Sequence, residues 1–94
     1  MSTFASTSIN PSFEEIKEYD TEQLVTFLRG KKLNLCENDF TILRNQYVDG
    51  PSFVKLTYER LVNFPLNISA GKATRLETVI EELNNQSKFY HKIV

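Results

Sequence analysis

The sequence predicts an all-α domain, and three observations predict it. Apolar residues recur at helical spacing, each recurrence follows a residue suited to capping a helix, and no stretch alternates apolar with polar residues as a half-buried strand would. Five helices with short connections are expected to form one compact bundle, the last helix being the longest.

The elements follow in order. Ser12 with Glu15 forms a capping box, hydroxyl and carboxylate each satisfying a free N–H, and opens a short helical turn over Phe13–Lys17 with Phe13 and Ile16 on one side. Asp20 with Gln23 repeats the device. Leu24, Phe27 and Leu28 then give the first full helix one apolar face, and Arg29-Gly30-Lys31-Lys32 ends it, with Gly30 in the C′ position and cations against the dipole. Leu33 and Leu35 bridge to a second helix starting near Glu37–Asp39, where Phe40 and Leu43 are the expected buried pair and Tyr47 joins them.

Val48-Asp49-Gly50-Pro51 reads as a turn, and Pro51 suits the first position of a short third helix holding Phe53, Val54 and Leu56. Thr57 caps a fourth helix over Tyr58–Asn63 with Leu61 inward, and Pro65 forbids its continuation. Ser69 caps the longest helix, about residues 70–85, whose Ala73, Leu76, Ile80 and Leu83 follow a 3-4-3 spacing widened by Val79. Asn84 and Asn85 are expected stops, with the residues beyond either extending the helix or fraying.

Ninety-four residues suffice for one domain with a single modest core. Residues 1–11, Ser/Thr-rich and uncharged, read as a flexible tail; 12–86 are the helical domain; 87–94 are a C-terminal extension. The net charge of −1 lacks the basic excess of a general nucleic-acid binder. Cys36, the single cysteine, cannot close an internal disulfide and fits a reducing compartment; it reads as a small hydrophobe or half-exposed thiol more readily than a reactive one. One Cys and one His make no recognisable metal-ligand set. The N-terminus has neither the basic start and apolar run of a secretory signal nor the arginines of a mitochondrial presequence, and no segment is apolar enough to span a bilayer, so cytoplasm or nucleus is expected. No phosphate-cradling glycine loop, nucleophile elbow or paired Cys/His set is present, and the carboxylate pairs Glu14-Glu15 and Glu81-Glu82 lie on helices where a solvated face is the default; neither an enzyme nor a cofactor is expected.

Taken in sequence order, three groups of residues resemble the sterile alpha motif (SAM) family over about residues 19–83. The opening is Tyr19, Asp20, Leu24, Phe27 and Leu28; the centre is Phe40, Val48, Asp49, Gly50, Phe53, Leu56, Thr57, Glu59 and Leu61; the end is Gly71, Arg75 and Leu76. The Tyr-Asp-Thr-Glu opening and the Ala-Thr-Arg-Leu of the last helix are most similar to fungal members. Tyr19 stands where the family has an early Trp, and Phe64-Pro65-Leu66 replaces its Leu-Gly-Ile.

The resemblance implies protein–protein recognition, with another SAM-type domain or a second copy, through two surfaces whose head-to-tail contact is heterologous. The end-helix surface would comprise Ala70, Gly71, Lys72, Thr74 and Arg75, where unpaired first-turn N–H groups and two cations suit an acidic partner. The mid-loop surface would comprise Glu37, Asp39, Asp49, Ser52 and Glu59. Plainer readings stand beside both: Gly71 merely eases packing and Lys72 is solvated; Glu37, Asp39 and Asp49 do capping and turn chemistry; Glu59 is only an exposed first-turn carboxylate. Because some family members bind RNA hairpins, a patch of Arg29, Lys31, Lys32, Lys72 and Arg75 is the alternative. The terminal Lys88–Val94 is amphipathic and basic, though packing of Phe89 or Tyr90 on the bundle is favoured over membrane contact, and His91 reads as a solvated side chain.

Overall fold

The computed structural model describes residues 11–93, with side chains described to residue 86. Residues 1–10, and with them most of the expected tail, lie outside the described residues, as do the side chains of the expected extension. Pro11, assigned above to the tail, is buried. Among the described residues there are six helices and no strand: α1 Phe13–Lys17, α2 Thr21–Gly30, α3 Glu37–Asn45, α4 Gly50–Phe53, α5 Tyr58–Val62 and α6 Ala70–Ile93. The five expected helices are all present, and the opening turn brings the count to six.

Local chemistry sets most of the boundaries. Both predicted capping boxes form: Ser12 Oγ accepts from the Glu15 N–H at 3.2 Å while Glu15 accepts from Ser12, and Asp20 and Gln23 exchange the same bonds at 2.8 and 2.9 Å. Thr57 caps α5 through the Arg60 N–H. Ser69 accepts the first backbone bond of α6, from Ala73. Gly30 is the last residue of α2 rather than the position beyond it. Asn84 and Asn85 do not end α6. The helix continues to Ile93, and the Asn84 amide instead donates to the Val54 carbonyl at 3.0 Å, tying α6 to the end of α4.

The core is centred on Ile16, Leu24, Leu28, Phe53, Leu61 and Leu76, with Phe40 and Ile80 also buried. Burial of apolar surface at about 25 cal/mol per Å² is the main force holding these short helices, several of which are too short to persist alone. Within this packing α1 lies on α4 and α6, α2 on α3 and α4, and α5 on α6. Phe27 is half-buried rather than interior: Tyr19 meets it edge-on at 6.4 Å, and the Lys31 ammonium lies 5.5 Å from its ring centre.

Two positions fix the turns. Gly50 sits so close to α1 that a Cβ there would lie 1.7 Å from the Ile16 carbonyl oxygen, while its N–H donates to the Tyr19 carbonyl at 2.9 Å. Only glycine permits that approach. At the end of α3 the Tyr47 N–H donates to Arg44 and the Val48 N–H to Leu43, a Schellman motif with Tyr47 in the left-handed C′ position at φ 53°. This corrects the expectation for Tyr47: the reversal swings it away from the Phe40–Leu43 face, leaves it 83% exposed, and puts Val48 in the core in its place.

Candidate interaction surfaces

The first turn of α6 exposes Ala70 and Gly71, with Thr74 exposed just beyond it, and carries no acidic side chain, so its free N–H groups and their partial positive charge face solvent. Thr74 turns its hydroxyl back onto the Ala70 carbonyl at 2.9 Å. The two cations of this surface are engaged within the chain. Lys72 Nζ lies 2.8 Å from the Asp39 carboxylate, and the Arg75 guanidinium donates to the Leu33 carbonyl at 2.6 Å.

Asp39 is only 5% exposed and holds several donors at once. Besides Lys72 it accepts the Cys36 N–H at 2.8 Å, completing the start of α3, and the Cys36 thiol lies 3.3 Å away. The Lys72 ammonium also lies 3.6 Å from that thiol. Burial raises the pKa of Asp39, but the hydrogen bonds from Lys72 and Cys36 outweigh it and hold the carboxyl below its ordinary value. The same bond raises Lys72, against a smaller opposing effect of desolvation.

The other acidic candidates divide by role. Glu37 receives a two-pronged contact from Arg29, whose guanidinium also stacks 4.5 Å over the Phe40 ring. The hydrogen bond from Arg29 holds the Glu37 carboxyl below its ordinary value. Asp49 caps α4 by accepting the Ser52 N–H at 2.9 Å, and this bond likewise lowers its pKa. Glu59 is exposed on α5 and has no ion-pair partner among the described residues.

A family model for the SAM-like domain matches residues 1–82. The chain belongs to the SAM-like domain family. No curated protein and no solved structure matches it.

In this SAM-like domain the candidate RNA-binding cations are only partly assembled. Arg75, through Leu33, is brought beside the Lys31-Lys32 segment, and Lys32 is exposed. Arg29 and Lys72 face carboxylates of their own chain. No group of three or more His, Cys, Asp or Glu among the described residues is placed to hold a metal ion, and no helix searched there is long and apolar enough to cross a membrane.

One feature of this domain went unread in the sequence. A groove of about 360 Å³ lies between the end of α3, α5 and the α5–α6 connection, with the apolar Val48, Leu56, Phe64 and Leu66 and the polar Gln46 and Arg60 among its lining residues. Phe64 is 86% exposed, and the Phe64–Pro65 peptide bond is cis. Pro65 signals a break in the chain, but nothing in its neighbourhood signals that the preceding phenylalanine faces water.

Proposed function

We propose that this SAM-like domain is a non-catalytic adaptor that associates head to tail with another SAM-type domain or with a second copy of itself. The observation that carries the reading is the exposed, acid-free first turn of α6 at Ala70 and Gly71, on the same fold as the exposed carboxylate of Glu59, which has no ion-pair partner among the described residues. The positive end of the helix and a carboxylate on another molecule attract each other, and Gly71 lets the partner's backbone come close. Lys72, Arg75, Glu37 and Asp39 act behind this contact by fixing the shape of both faces, and Asp49 and Ser52 do so by holding the α4 turn. Rim charges of this kind set orientation and encounter rate more than affinity. The adaptor role fits a signalling or oligomerising assembly in the cytoplasm or nucleus, in line with the fungal-type opening Tyr19-Asp20-Thr21-Glu22, and involves no membrane and no small-molecule substrate.

Sedimentation velocity over a concentration series tests the homotypic form. Mass should grow with concentration and should stop growing in Gly71→Glu, which places a carboxylate on the donor turn. A wild-type chain that stays monomeric throughout would remove homotypic pairing.

Recognition of an RNA hairpin is the second reading, favoured by the contact that sets Arg75 beside Lys31 and Lys32. It predicts hairpin affinity that falls steeply with salt and weakens in Lys32→Glu. Affinity independent of salt would end it.

A further inference from the structure

We propose that the groove lined in part by Arg60 and Phe64, which adjoins Asp49 and Glu59 of the mid-loop face but is built from other residues, is a further docking site, and that it takes an extended peptide segment of a partner protein bearing an aliphatic or aromatic side chain next to an Asp or Glu.

The groove is concave, of about 360 Å³, and lined by Val48, Leu56 and Leu66. The groove is open to solvent along its length, and its apolar lining suits an apolar side chain laid against it. Phe64 stands at its edge almost fully in water, where it adds nothing to the core. Tyr47 lies in the chain between Gln46 and Val48, both lining residues, and is the other large exposed apolar residue among those described. Its left-handed backbone is one that glycine or asparagine adopts at lower cost.

Charge identifies the occupant. The chain has four arginines. Arg29 and Arg44 grip Glu37 and Glu22, and Arg75 donates to Leu33. Of the four, only Arg60 has a guanidinium with no acceptor of any kind among the described residues, and no carboxylate lines the groove it borders. A guanidinium fork beside an apolar lining is complementary to one carboxylate adjoining one apolar side chain. An RNA strand would bring several phosphates to a single cation, a poorer match.

The test titrates the ¹⁵N-labelled full chain with capped peptides bearing Leu or Phe flanked by Asp, and with matching peptides flanked by Lys. The Asp peptides should give saturable shifts at the Val48, Arg60 and Leu66 amides and bind on the order of tenfold more tightly than the Lys peptides. Arg60→Gln and Phe64→Ala should each weaken binding several-fold while leaving the unfolding midpoint and the sedimentation profile unchanged, which separates this site from head-to-tail pairing. Absence of saturable shifts, equal binding of both peptide sets, unaltered binding in Arg60→Gln, or shifts at these amides produced by oligo-uridine in place of peptide would overturn the proposal. Loss of self-association in Arg60→Gln would also overturn it, because a second copy would then be the occupant.

Discussion

Lys72 on α6 and Asp39 on α3 form a 2.8 Å ion pair within one chain, joining a residue of the end-helix surface to a residue of the mid-loop surface. Family resemblance assigns these charges to opposite sides of a contact between molecules. Here they close on each other, with the Asp39 side chain buried and the Lys72 ammonium partly so. Loss of Lys72 would leave the buried Asp39 carboxylate with the Cys36 donors but no countercharge.

The pair predicts a two-sided pH dependence. The Asp39 pKa is depressed in the folded chain, so its contribution is complete above the unfolded value of about 3.9 and is lost as pH falls through the lower folded value. The Lys72 pKa is raised, so its contribution is complete below about 10.4 and is lost as pH rises through the higher folded value. Urea denaturation at acid, neutral and alkaline pH should show both losses in the wild type. The difference between wild type and Asp39→Asn should shrink toward both extremes. Asp39→Ala should cost about 1–3 kcal/mol at neutral pH, since it also removes the acceptor of the Cys36 N–H.

Gly50→Ala should be among the most damaging single-methyl additions in the chain. The new Cβ meets the Ile16 carbonyl oxygen, a backbone atom that cannot swing aside, and separating α1 from α4 breaks the bond from Gly50 to Tyr19. A loss of about 3 kcal/mol is expected, read from the chemical denaturation midpoint. A change within a few tenths of a kcal/mol would show that the two helices are not packed so closely.

Leu61→Ala and Phe64→Ala make a paired test of the burial pattern three residues apart. Leu61 is fully buried, and its truncation should cost about 2–5 kcal/mol. Phe64 is exposed, and its truncation should change stability by no more than about 0.5 kcal/mol. Thermal unfolding of both variants checks the contrast, and equal losses would contradict it.

Tyr47→Asn should retain or gain stability, by up to about 1 kcal/mol, because asparagine tolerates the left-handed C′ position and no core contact is lost. A clear loss of stability would mean that the tyrosine ring packs where the structure shows it in solvent.

Much of this architecture was legible because it depends on neighbours in the chain. Ser12 and Glu15, Asp20 and Gln23, and Thr57 each announce a helix start within three residues. The 3-4-3 spacing of Ala73, Leu76, Ile80 and Leu83 likewise marks the face of α6 that enters the core. Tyr47 was misread for an equally local reason: it follows Phe40 and Leu43 at helical spacing, and an α3 extended by one more turn would bury it. The helix ends at Asn45, through a Schellman turn that lacks its usual glycine. The state of the candidate surfaces was not legible because it is set by contacts distant in sequence. Lys72 meets Asp39, Arg75 meets Leu33 and Asn84 meets Val54 only once the bundle has closed. Composition and spacing show that these groups exist, whereas packing decides which of them remain free for a partner.

Mixing two singly disabled chains tests the head-to-tail account most directly. Gly71→Glu impairs the α6 turn and Glu59→Lys impairs the opposite face, so each variant alone should remain monomeric in sedimentation velocity. Their equimolar mixture should form a dimer that grows no further, because each retains the face the other has lost. A mixture that stays monomeric while the wild type self-associates, or variants that assemble as the wild type does, would contradict it.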